Sequence, residues 1–342
     1  MKITQISLTF IVCTLTVSCV SSSQPSHKNV DHTSIPVSRG FQIGIAGLVP
    51  RHFPESSEAD YLDFIDEIPR LGEFFGVYAA WDDPFLTEQI EIAQQMKDII
   101  PLVILGFDYQ KVNEGYFTEN RDAIIQTLLE ISSAYDMPYL GFGGEVNRLA
   151  SEISEVVYQE FINLYLDGFN ALKAEKPDLQ VFTVFQYEYM TGSAFLSGLG
   201  VDPQWNSLFR FEGKLDLAAF TIYPFLDHKQ VEDIPVNYFQ ALNQNVNLPI
   251  IITETGWPSE NVVINGQVLV SGNQEAQSEY LDWIIQSTED LKAEILMYSF
   301  LHDIPRDLEL FNSVALKQND GTPKPAYTHW VALAGRPFVV TE

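Results

Sequence analysis

Pro249-Ile250-Ile251-Ile252-Thr253-Glu254 is apolar through its middle and ends on a carboxylate. A short run rich in β-branched residues reads as a strand buried on both faces. The pattern recurs along the chain, at 41–48, 74–81, 99–107, 139–145, 179–187, 215–223 and 294–301. Between these runs lie stretches of helical period, clearest at 60–71, 86–96, 120–134, 154–174, 236–244, 273–287 and 326–334. Strands and helices alternating eight times over roughly 295 residues predict one α/β domain, a single (β/α)8 TIM barrel. An open doubly wound sheet has a similar rhythm. It commonly carries a glycine-rich phosphate loop after its first strand, and Gly44-Ile45-Ala46-Gly47-Leu48-Val49-Pro50 lacks that fingerprint. The weakest part of the count is 191–211, read as a long loop with a short helix.

The composition suits such a core. Of the 342 residues, 46% are apolar and 13% aromatic, which excludes disorder over most of the chain. The formal net charge of −27 argues against nucleic acid, whose phosphates need a dense basic surface. It also disfavours docking of the folded domain on anionic lipid.

The N-terminus reads differently. Lys2 is followed by a mostly apolar stretch to Leu15 and then by small residues before Cys19. This is the form of an export signal over 1–19, too short to span a bilayer comfortably. The only two cysteines, Cys13 and Cys19, both lie there. The mature domain is therefore expected to hold neither a disulfide nor a thiolate metal site. None of the six histidines has the spacing of a zinc motif, so no metal or organic cofactor is expected. Residues 20–40 are rich in Ser and without hydrophobic period, which predicts a flexible tether. The barrel is assigned to 41–336 and a tail to 337–342.

Active sites of barrels sit at the carboxyl ends of the strands. Two carboxylates end apolar runs, Glu145 after Tyr139-Leu140-Gly141-Phe142-Gly143-Gly144 and Glu254 after its isoleucines. A charge ending a hydrophobic strand is costly unless paired or used. Two on one rim fit either structural ion pairs or hydrolysis of a glycosidic bond, one acting as acid and the other as nucleophile or base. Glu188, after Tyr187, is the strongest rival. Sugar rings present apolar faces, so Trp257 and Trp81 are candidates for stacking. His302, with Arg51, His52, Asp108 and Asp303, falls on the expected rim.

The stretch Ile252-Thr253-Glu254-Thr255-Gly256-Trp257-Pro258-Ser259 resembles the strand-seven motif of glycoside hydrolase clan A. It is closest to the family 17 glucanase form and related to the family 53 galactanase form. Glu145 is similar to the clan's strand-four acid/base. Asp216-Leu217-Ala218-Ala219-Phe220-Thr221-Ile222-Tyr223-Pro224 resembles its strand six, and Asp320 to Trp330 its closing segment. The resemblance implies a retaining glycosidase acting on β-linked poly- or oligosaccharide, with Glu254 as nucleophile, Glu145 as acid/base and Tyr223 bonded to the nucleophile. Many clan members carry Asn before the acid/base Glu, where this chain has Gly144. Asn147 and Gln186 are the candidates to replace its contact with the sugar. A barrel that binds glycan without cleaving it is the alternative, and a scaffold without a site is a third reading.

Leu15-Thr16-Val17-Ser18-Cys19 resembles a bacterial lipobox, which implies lipidation at Cys19. The expectation is then a monomer in the cell envelope or outside the cell, held to a membrane only through that lipid.

Overall fold

The computed structural model describes residues 38–192, 202–211, 213–305 and 310–340. Its strands are β1 (Gln42–Ala46), β2 (Phe74–Ala80), β3 (Ile100–Gly106), β4 (Tyr139–Phe142), β5 (Gln180–Phe182), β6 (Val184–Gln186), β7 (Ala218–Ile222), β8 (Ile250–Thr255), β9 (Val262–Ile264), β10 (Gln267–Val270) and β11 (Ile295–Ser299). All but β9 and β10 form one parallel nine-stranded sheet in the order β5-β4-β3-β2-β1-β11-β8-β7-β6. The two ends of that order, β5 and β6, are halves of one run broken at Thr183. The sheet therefore closes on itself as the expected (β/α)8 barrel.

Two apolar cores follow from the alternation of side chains along each strand. Inward residues fill the barrel, among them Phe74, Leu102, Ile104, Phe182, Ala219, Ile251 and Met297. Outward residues such as Ile43, Phe75, Val103, Phe220 and Ile252 pack under the helices. Each fully buried Ile, Leu or Phe contributes about 1.5–3 kcal/mol of transfer free energy. The helices start where caps are available. Ser57 and Asp60 form a capping box on helix Glu58–Glu67, Ser154 caps Glu155–Glu175 and Asn273 caps Gln274–Leu291.

Three features differ from the expectation. The helix expected at 236–244 is only Gln240–Asn245, because turns occupy 236–239. A β9–β10 hairpin follows β8, turned by Asn265 and Gly266, both at positive φ. This is the Asn-Gly signal of a tight hairpin. The expected tether and tail also meet, since Arg39 and Phe338 form a parallel bridge. Residues 1–37, with the expected signal, the two cysteines and most of the tether, lie outside the described residues. No helix among the described residues is long and apolar enough to cross a membrane.

Candidate active site

Glu254 reaches the barrel mouth through a change of register. Ile251 faces the barrel interior and Ile252 the helices. Strict alternation would send Glu254 outward with Ile252. The β7–β8 pairing instead shifts: Phe220 pairs with Ile252, but Thr221 pairs with Glu254. Thr253 is the extra residue, and a one-residue slip flips every side chain beyond it. Glu254 thereby joins the inward face that Ala219 and Thr221 define on β7. The irregular backbone is tied down on both sides. The Thr253 hydroxyl donates to the Phe220 carbonyl at 3.1 Å, and the Thr253 carbonyl accepts from the Tyr78 phenol at 2.6 Å.

Glu145 arrives by another route. After β4 the chain turns at Gly143, at φ 90°. A Cβ there would lie 2.6 Å from Val146 and 2.8 Å from Phe161, so only glycine fits. Glu145 itself adopts φ 46° and ψ 44°, at the start of helix Val146–Glu152. A left-handed non-glycine residue costs roughly 1 kcal/mol or more. Its Oε1 accepts a 2.8 Å hydrogen bond from Thr221. Its Oε2 lies 3.5 Å from the Arg148 guanidinium.

Thr221 links the two carboxylates: it bonds Glu145 and is the cross-strand partner of Glu254. Neighbouring strands lie about 4.8 Å apart, so both acids open on one mouth. Glu254 is 9% exposed. Its Oε2 accepts from the Tyr223 phenol at 2.7 Å, and that phenol oxygen also lies 2.6 Å from the Ser299 hydroxyl. Burial pushes the Glu254 carboxyl up to about 8; the Tyr223 hydrogen bond opposes the rise and the Glu145 charge adds to it. Burial and the Glu254 charge hold the Tyr223 phenol well above its ordinary range, so it remains a donor.

Four of the expected sugar contacts lie inside the protein instead. Trp257 is fully buried, edge-on to Phe225 and against Tyr280, so its faces meet protein. Asn147 is also fully buried. It clamps the main chain of Gln186, giving 2.9 Å to its carbonyl and taking 2.8 Å from its N–H. Gln186 caps the short helix Tyr187–Thr191 by accepting from the Tyr189 N–H. His302 lies 3.0 Å from the Val49 carbonyl, and burial lowers its pKa to about 4. Asn147, Gln186 and His302 each serve buried polar backbone, which a strand end exposes as readily as it exposes a cleft. Of the other rim candidates, Arg51 pairs with Asp60 and Asp303 with Lys324 at 2.7 Å. Trp81 does stand at the end of β2, half-buried, its indole N–H donating to Tyr116 at 3.0 Å.

Thr221, Ser299, Tyr78 and Arg148 are contacts the sequence reading missed. For Thr221 and Ser299 the signal was alternation: Ala219 and Thr221 share one face of β7, and Ile295, Met297 and Ser299 share one face of β11. For Arg148 it was the spacing of three from Glu145 on a helix. The position before Glu145 is open: a Cβ on Gly144 meets nothing within 4 Å.

Glu188, the rival carboxylate, is separate from this pair and 2% exposed. It accepts from the Tyr223 N–H at 2.9 Å, from the Tyr238 phenol and from the Gln186 amide. Burial, with the Asp227 charge, raises it to about 8. Beside this network an open cleft of about 540 Å3 is lined by Tyr187, Asp227, His228, Asn237 and Tyr238 among others. Among the described residues no group of three or more His, Cys, Asp or Glu could hold a metal ion.

No protein-family model matches the chain, and no curated protein matches it. Solved structures do share its fold. A β-glucuronidase from Bifidobacterium dentium, complexed with coumarin-3-O-glucuronide, superposes with a TM-score of 0.59 at 13% identity, over 89% of this chain and 48% of that one. A family 39 glycoside hydrolase from Bacteroides cellulosilyticus WH2 gives 0.59 at 15% identity, over 87% and 64%. A family 17 β-1,3-glucanosyltransferase from Rhizomucor miehei gives 0.58 at 15% identity, over 84% and 96%. This chain thus spans about half the length of the first and nearly all of the third. Likeness at such identities establishes the shared barrel.

Proposed function

We propose that the chain is a retaining glycoside hydrolase acting on a β-linked poly- or oligosaccharide, with Glu254 as nucleophile and Glu145 as acid/base. The observation that carries this reading is Thr221, which bonds Glu145 and pairs with Glu254 across the barrel mouth. Glycosidases with the same fold, one of them of family 17, support it by analogy.

In the first step a Glu254 oxygen attacks the anomeric carbon as the glycosidic C–O bond breaks. Glu145 gives its proton to the departing oxygen. In the second step water attacks the glycosyl ester, Glu145 takes the water's proton, and Glu254 leaves as carboxylate. The Tyr223 phenol holds one Glu254 oxygen and leaves the other for attack. Glu145, with its side chain 21% exposed, has the solvent access that a leaving group and an incoming water require.

One observation favours exchanged roles. Burial pushes Glu254 up to about 8, whereas Glu145 has a cation beside it. Glu254 as acid and Glu145 as nucleophile would fit those surroundings, since paired carboxylates divide their tasks by environment. The pH profile separates the two. With Glu254 as nucleophile, kcat/KM rises as that carboxyl ionises, with an apparent midpoint near 8. With Glu254 as acid, activity falls through the same midpoint.

The test of function is a screen of purified protein on β-glucans, galactans, mannans and β-glucuronides, with Glu254→Gln as control. Turnover by the wild type alone supports hydrolysis. Binding without turnover by either protein points to the glycan-binding barrel. Absence of both defeats the reading. We also propose that Cys19 carries a lipid and that the residues between it and the docked Arg39 tether the barrel to a bacterial envelope. Loss of the protein from the membrane fraction on Cys19→Ser is the expected result.

A further inference from the structure

We propose that Glu188 is a positioning residue for the hydrolysis: it fixes the main chain of Tyr223, and through the Tyr223 phenol it orients Glu254. The inference rests on the reaction proposed above and concerns a residue outside the catalytic pair.

Tyr223 stands one residue beyond β7, where the ladder ends. Ile222 still pairs with Thr255 on β8. On the other side the pairing with β6 stops at Thr221, opposite Gln186. The Tyr223 N–H is therefore past the last ladder bond in a fully buried place, where an unmade hydrogen bond is expensive. The Glu188 Oε1 supplies the acceptor at 2.9 Å. The next residue, Pro224, has no N–H and opens a helical turn, Pro224–Leu226, whose Leu226 N–H donates to the Tyr223 carbonyl at 2.8 Å, so Glu188 serves the N–H side of Tyr223.

Glu188 is itself held from three sides. Beyond Tyr223 it accepts from the Tyr238 phenol and the Gln186 amide. The Gln186 side-chain oxygen Oε1 accepts from the Tyr189 N–H, and its main chain is clamped by Asn147. The carboxyl is thus a fixed point set by β6 and the short helix after it. At the far end of the same tyrosine, the phenol meets Glu254 at 2.7 Å. One side chain carries the position of β6 across to the nucleophile on β8. A buried carboxyl is a costly way merely to fill space. The Asn147, Gln186 and Glu188 contacts together account for three polar side chains that do not reach the cleft.

The test uses Glu188→Leu, which keeps bulk and removes the acceptor, and Glu188→Gln, which keeps an oxygen for the Tyr223 N–H. Each is combined with Tyr223→Phe. Glu188→Leu is expected to lower kcat about tenfold with KM within about twofold, and Glu188→Gln to recover most of that loss. In the Tyr223→Phe background the Leu change is expected to add less than about twofold, because both act through one phenol. Multiplying losses, or a fall in melting temperature with kcat unchanged, would mean that Glu188 supports the fold only and would overturn the proposal. Carboxyl 13C NMR of Glu254 reads the same link without substrate. Its titration midpoint is expected to rise in Glu188→Leu, where the Tyr223 bond that lowers it is loosened, and to stay put in Glu188→Gln. An unmoved midpoint in Glu188→Leu refutes the link even if hydrolysis is established. A moved midpoint in a protein without turnover upholds the link and discards the hydrolysis. If the Leu variant does not fold, Glu188→Ala removes the acceptor while leaving space.

Discussion

The ends of β4 and β8 deliver the same chemical group to the same mouth by opposite means. At β4 the strand stops, two glycines turn the chain, and Glu145 sits in a left-handed conformation at a helix start. At β8 the strand continues, and one extra residue, Thr253, rotates Glu254 from the helix side to the barrel side. The first corner spends backbone strain and the second spends a ladder irregularity. The two corners also differ in environment. Glu145 has a cation and partial exposure, whereas Glu254 is buried against a phenol and pushed up to about 8. A strand-end carboxylate is thus aimed by the backbone beside it rather than by its own place in the sequence.

That contrast can be broken at each corner. Inserting one alanine between Thr253 and Glu254 moves Glu254 one place along β8, past its pairing with Thr221, and turns it toward the helices. It is expected to reduce kcat/KM by about a thousandfold or more, and an insertion that keeps full activity would contradict the register described for β8.

Glu254→Gln probes the cost of the buried acid. The group is near 4.5 when unfolded and about 8 when folded. Below pH 4.5 both states bind the proton and the variant has no advantage. Between the two values the folded state binds more protons than the unfolded one, so wild-type stability falls as pH rises. Denaturant melts should show the variant gaining up to about 1.4 kcal/mol per pH unit across that window and levelling above it.

At the other corner, Gly143→Ala meets three neighbours at under 3.0 Å from a positive φ and should cost about 2–3 kcal/mol of stability. Gly144→Ala, next door, meets nothing within 4 Å and should cost a few tenths of a kcal/mol. Equal costs at the two glycines would mean that the corner is not built as described.

The barrel was legible because its apolar runs match the observed strands to within a few residues, and the first of them lacks the glycine-rich loop common in an open doubly wound sheet. Glu145, Glu254 and Tyr223 were legible as strand ends. The hairpin at Asn265-Gly266 was legible too, and was overlooked. Asn147, Gln186, His302 and Trp257 were not, for one physical reason. A polar or aromatic side chain at a strand end faces either the cleft or the protein interior, where it meets backbone, as Asn147 does, or other rings, as Trp257 does. The choice depends on parity and on bulges such as Thr253, which leave no mark in composition. Thr221 illustrates the reverse case. It is an ordinary strand threonine by type, and it becomes the bridge between two acids only when β7 and β8 are paired.

The most direct test is to trap the intermediate. The wild type would be incubated with an activated 2-deoxy-2-fluoro analogue of the glycoside its screen identifies, then digested and sequenced by mass spectrometry. One added glycosyl group, carried by Glu254, is the expected result. A label on Glu145 would contradict the assignment of roles, and rapid turnover to product of inverted configuration with no label would contradict the double displacement itself.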